Sequence, residues 1–121
     1  MEAMARAALR ALPPRFRDRL TDVVVRVEEF ATREQLASVG LENRWDISGL
    51  YEGRPLSQRS IWDADEMPAI VTLFRQPLLL EWRTTGVQLE DLVTHVVVHE
   101  IGHHFGFSDD TMERLEDGED F

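Results

Sequence analysis

An α+β fold is what this sequence predicts, and three observations carry the prediction. Two short β-branched runs, at residues 23–27 and 69–74, have the composition of strands. Several intervening segments read as helices closed by glycine or proline, and residues 89–105 form one long helical stretch near the carboxyl end. No repeat, linker or low-complexity block interrupts the 121 residues, so a single domain over 1–121 is expected, with room for one modest core.

The elements follow in order. Residues 2–12 read as an alanine-rich helix ended by Pro13-Pro14, and 14–20 as a second short helix. The run Val23-Val24-Val25-Arg26-Val27 makes a strand. Residues 32–39 look helical and close at Gly40; residues 50–52 form a short strand ending at Gly53. The strand at 69–74 is expected to stop near Pro77, followed by a short helix at 78–83 and a break at Gly86. In residues 89–105 the triplet Val96-Val97-Val98 mimics a strand, but Leu92, Val93, Val96 and Val97 recur at helical spacing. Glu90 and Asp91 suit the first turn, so helix prevails.

Composition narrows the class. There is no cysteine, which excludes a disulfide framework and a thiolate metal site. Residues 1–11 carry Arg6 and Arg10 among alanines but lack the apolar core of a secretory signal, and no apolar run approaches the ~20 residues of a membrane span. A soluble cytoplasmic protein is the expectation. A net charge of −10 argues against nucleic acid as a partner, since phosphate binding needs a basic footprint. All 13 basic residues are arginine, which reads as coding bias. Glu113, Glu116, Asp117, Glu119 and Asp120 make an acidic tail, read as solvated, with attraction of cationic substrate segments as the other reading.

The segment His99-Glu100-Ile101-Gly102-His103, continuing to Gly106 and Asp109, carries the chemistry. Residues four apart on a helix share a face roughly 6 Å apart, so two imidazoles can converge on one zinc ion with nitrogens at about 2.0–2.1 Å. Glu100, turned about 100° from His99, flanks the metal without ligating it. Two neutral imidazoles leave most of the charge on zinc unquenched, so a bound water becomes acidic near neutral pH and the adjacent carboxylate can take its proton. Gly106 suits the left-handed residue that ends a helix and would turn the chain back, bringing Asp109 to the metal as third ligand. Asp109 also fits an N-cap of the following segment, where Asp110 and Glu113 match a capping box. His95 extends the histidine stripe, but eight residues of helix rise about 12 Å, so His95, His99 and His103 cannot share one ion. The pair His95 and His99 brackets only valines, which leaves His95 as a cleft-wall residue. His104 points away from the metal face. Met112 is either an apolar floor under the metal or the buried face of a last helix.

The pattern His99-Glu100-x-x-His103-x-x-Gly106-x-x-Asp109 resembles the extended zinc signature of the metzincin branch of zincin metallopeptidases, in its aspartate variant. The whole chain looks like the small bacterial zincin-like proteins described as minimal matrix-metalloprotease-like domains, through "ALPPRF", "GLYEGRPLSQRS", "MPAIVTLFR" and "VVHEIGHHFGFSDDTME". The resemblance implies a small α+β domain, with a short mixed β-sheet and a long active-site helix. It also implies zinc on His99, His103 and Asp109, and Glu100 as catalytic base. Zincins bind an extended peptide along an edge strand above that helix, and the resemblance suggests residues 69–74 for this job, against the plain reading of a strand that fills the sheet. Only twelve residues follow Asp109, which predicts a shallow pocket and leaves Met112 short of the family's methionine turn. No pro-segment or cysteine switch is seen.

Two functions follow as expectations. The first is a zinc-dependent peptidase acting on peptides or proteins through a metal-bound water activated by Glu100. The second is a zinc-binding domain with little intrinsic activity that works through a partner protein. Tyr51 is a candidate oxyanion donor or a packing aromatic; Arg54, Arg59 and Arg75 are candidate carboxylate binders or solubilising residues. A two-histidine, one-carboxylate set also suits non-haem iron, although the adjacent base favours zinc.

Overall fold

The computed structural model describes residues 1–17, 23–53 and 69–105, the side chains of 15, 16, 104 and 105 excepted. Among these residues the order is α1 (Glu2–Arg10), α2 (Pro14–Arg17), β1 (Val24–Glu28), α3 (Arg33–Ser38), a 3-10 turn (Arg44–Asp46), β2 (Gly49–Glu52), β3 (Ile70–Phe74), α4 (Arg75–Thr85) and α5 (Leu89–Phe105). The fold is therefore α+β, as the strand and helix patterns predict.

The strands form a mixed sheet of order β1-β3-β2. β1 runs parallel to β3 in the register Val25↔Val71, and β2 runs antiparallel to it in the register Tyr51↔Val71. Alternation along the strands gives the sheet two faces. Val25, Val71 and Leu73 join Ala5 and Ala8 of α1 and Leu92, Val93, Val97 and Ile101 of α5 in the larger core. Leu50 and Phe74 face the other way, toward Ala31, Leu36 of α3 and Ile47. β3 is thus covered on both faces and paired on both edges, which explains its almost unbroken apolar composition.

Local signals set most boundaries. Thr32 caps α3, accepting from the Gln35 N–H at 3.1 Å while the Gln35 side chain accepts from the Thr32 N–H at 2.9 Å, a reciprocal capping box. Gly86 closes α4 in the left-handed conformation at φ 72°. One boundary differs from the sequence expectation. The helix expected at residues 78–83 begins at Arg75, directly after β3, and Pro77 does not stop the strand but lies inside the first helical turn. A proline there costs no hydrogen bond, because the first N–H groups of a helix have no intrahelical acceptor.

The second difference concerns β3 itself. Residues 69–74 are not an edge: β3 lies between β1 and β2, and both sides of its main chain are used. Among the described residues β1 and β2 are the two edges of the sheet, so an extended peptide has no place on β3, and β2 is the edge that packs against α5.

Candidate active site

α5 carries His95, His99, Glu100 and His103 within one continuous helix, seated against α1, β2, β3 and α4. Its apolar positions Leu92, Val93, Val97 and Ile101 are buried in the larger core, which fixes the rotation of the helix about its axis. That rotation leaves His99 and Glu100 half-buried and His95 and His103 exposed. The rings of His99 and His103 lie edge to face with centroids 6.0 Å apart, and those of His95 and His99 lie nearly stacked at 5.9 Å. Ring spacing alone therefore does not choose between the two pairs.

Among the described residues, Glu100 is the group whose proton affinity is clearly shifted by its surroundings. Burial pushes its carboxyl above the ordinary glutamate range; the Tyr51 N–H and the nearby His99 partly oppose this by favouring the charged form. The Tyr51 main-chain N–H donates to Glu100 Oε1 at 3.0 Å. β2 can come this close because residue 49 is glycine. A Cβ there would collide with Val96 Cγ1 and touch Glu100 Cγ at 3.5 Å.

A groove of about 310 Å³ opens beside these groups. Ser48 and Gly49 form one wall, His95, Val96, His99 and Glu100 another, and Asp46, Ile47 and Glu81 complete it. His95 thus stands on the groove wall. Asp46 and Glu81 come from the 3-10 turn and from α4, and nothing in the local sequence pattern marked either as part of a site.

Among the described residues, no three His, Asp or Glu side chains are gathered as a metal site. His99 and His103 make a partial set, and Asp109, expected to complete it, lies outside the described residues, as do Gly106, Met112, the acidic tail, Arg54, Arg59 and the side chain of His104. The donor chemistry fits zinc as far as it goes: two imidazoles one helical turn apart, with a carboxylate in the position between them. Tyr51 contributes its main chain to the site, while its ring packs against the larger core. Arg75 pairs with Glu29 at 3.3 Å on the surface, away from the groove.

A family model described as zincin-like metallopeptidase matches residues 20–119. The chain belongs to that family. The match covers β1 through α5 and includes the whole histidine segment. Among curated proteins, no relative matches the chain. Among the described residues no helix is long and apolar enough to cross a membrane.

Proposed function

We propose that the protein is a zinc-dependent metallopeptidase that hydrolyses peptide bonds in the groove between β2 and α5. The observation that carries this reading is the half-buried Glu100 carboxylate, held by the edge strand beside His99 and facing an open groove. A structural zinc site needs no such base and no such groove, so both features support hydrolysis over a purely structural role.

His99 and His103, with Asp109 as the third ligand, would hold the ion. When bound, zinc supplies Lewis acidity that acidifies water and polarises a carbonyl. The work of the chain's own residues is proton transfer and positioning. Glu100 takes a proton at a carboxylate oxygen from the attacking water and delivers it to the leaving amine. Its raised proton affinity suits that task, because a base closer to neutrality accepts a proton more readily in the transition state. An extended peptide substrate would lie along the outer edge of β2, which aligns its carbonyls beside α5.

The test is hydrolysis by Glu100→Gln. The variant is expected to bind zinc like the parent while losing at least about a hundredfold in kcat, the low end of what a positioned general base contributes. Equal hydrolysis by parent and variant on a mixed peptide library would overturn the mechanism.

A further inference from the structure

The hydrogen-bonding pattern of β2 shows what its outer edge is doing. The Phe74 N–H donates to the Ser48 carbonyl at 2.9 Å, so Ser48, Leu50 and Glu52 direct their main-chain groups toward β3. Gly49 and Tyr51 then direct theirs away from it. A strand added to this edge would bond to Gly49 and Tyr51, and its carbonyl would accept from the Tyr51 N–H at about 2.9 Å. Glu100 Oε1 already accepts from that N–H at 3.0 Å. The carboxylate of the candidate base therefore stands where a peptide carbonyl would stand.

The packing makes this substitution hard to avoid in the free protein. Gly49 draws β2 onto Val96 and Glu100, and the groove that a peptide would enter is lined by Ser48, Gly49, Val96, His99 and Glu100 together. One N–H serves one strong acceptor, and an ionised carboxylate is a stronger acceptor than a neutral amide carbonyl. A peptide displaces it by adding its own bonds to the Gly49 main chain.

We propose that Glu100 acts as a stand-in strand: in the free protein it is tied to the Tyr51 N–H, and an extended peptide pairing with β2 takes that N–H and releases the carboxylate to work as base. Docking and base release are then one event. A side chain or small molecule that enters the groove without pairing to β2 leaves Glu100 tied. The substrate class implied is a backbone in extended conformation. This inference rests on the peptidase reading for its use, although the exchange itself needs neither metal nor catalysis.

The experiment uses the full chain stripped of metal, with Glu100→Gln and Glu100→Ala beside it and thermal unfolding to confirm that each is folded. The probe is a blocked peptide of alanine and threonine, titrated by calorimetry and by amide NMR. In the parent the Tyr51 amide proton is expected downfield, as for a donor to a carboxylate, and upfield in Glu100→Ala before any peptide is added. The peptide should bind Glu100→Ala about tenfold more tightly than the parent, the loss of one competing charge-assisted hydrogen bond, with the near-isosteric Glu100→Gln between them. Equal or weaker binding by Glu100→Ala, no saturable binding by any of the three, or a Tyr51 amide indifferent to residue 100 would overturn the proposal. Failure of the peptidase reading looks different: tighter peptide binding by the variants, with no hydrolysis by the zinc-loaded parent, would sink that reading and leave the exchange standing.

Discussion

β2 and β3 are neighbours in one sheet, yet they do opposite work. β3 is paired on both edges and buried on both faces, with Val71, Leu73 and Phe74 fully enclosed. β2 has Leu50 buried but Gly49 and Tyr51 only half-covered, and its outer edge meets the one carboxylate whose proton affinity is clearly raised among the described residues. The difference teaches where chemistry can be placed. A strand whose main-chain groups are consumed on both sides can only hold the fold, whereas an edge strand has N–H and C=O groups left over for a substrate or a catalytic side chain.

The sharpest way to break the comparison is to damage each strand in turn. Leu73→Ala empties a site with no exposed surface and is expected to cost about 2–5 kcal/mol, read by denaturant unfolding. The exposed Leu80→Ala should stay within about 0.5 kcal/mol. A Leu73→Ala cost as small as that of Leu80→Ala would deny β3 its role as the scaffold.

Gly49→Ala probes the seam between β2 and α5. The added methyl meets Val96 Cγ1, and such overpacking is expected to cost about 1–3 kcal/mol. Shortening the neighbour in the double variant Gly49→Ala with Val96→Ala should return part of that loss. If the pair were strictly additive, the close approach of β2 to α5 would not be what residue 49 permits.

The smallest effect sharpens the electrostatic half of the comparison. The folded state raises the proton affinity of Glu100, so its ionised form is disfavoured there relative to the unfolded chain. Below the unfolded carboxyl's value of about 4.3 both states are protonated and the penalty is absent; it grows as pH rises through the higher folded value. In the metal-free chain, Glu100→Gln should therefore raise Tm by about 2–4 °C at pH 7 and leave it unchanged near pH 3. A gain of equal size at both pH values would trace to packing and not to charge.

How far the sequence reached depends on whether the deciding interaction was local. The valine-rich segment 23–27, the helical segment 32–39, Gly86 and the long helix through Val96-Val97-Val98 all carry their own signals, and the structure has them as β1, α3, the end of α4 and α5. The central place of β3 was not legible, because strand order is decided by long-range pairing and an apolar run suits an interior strand and a substrate-side edge alike. The early start of α4 was hidden by Pro77, a residue that ends strands but also tolerates a first helical turn. In the candidate site, the placement of His99, Glu100 and His103 along one helix was legible, because helical spacing is a local property. The Tyr51 N–H was not, since every residue but proline has one and only the fold decides which meets Glu100. Asp46 and Glu81 reach the groove from elements far apart in the chain, for the same reason.

The central claim is that α5 presents a zinc site served by Glu100, and its most direct test is the metal content of the purified chain beside His103→Ala. The account predicts one zinc per chain in the parent and loss of the metal in the variant, with the fold of both checked by circular dichroism. A parent without zinc, or a folded His103→Ala that keeps the parent's full zinc, would contradict it.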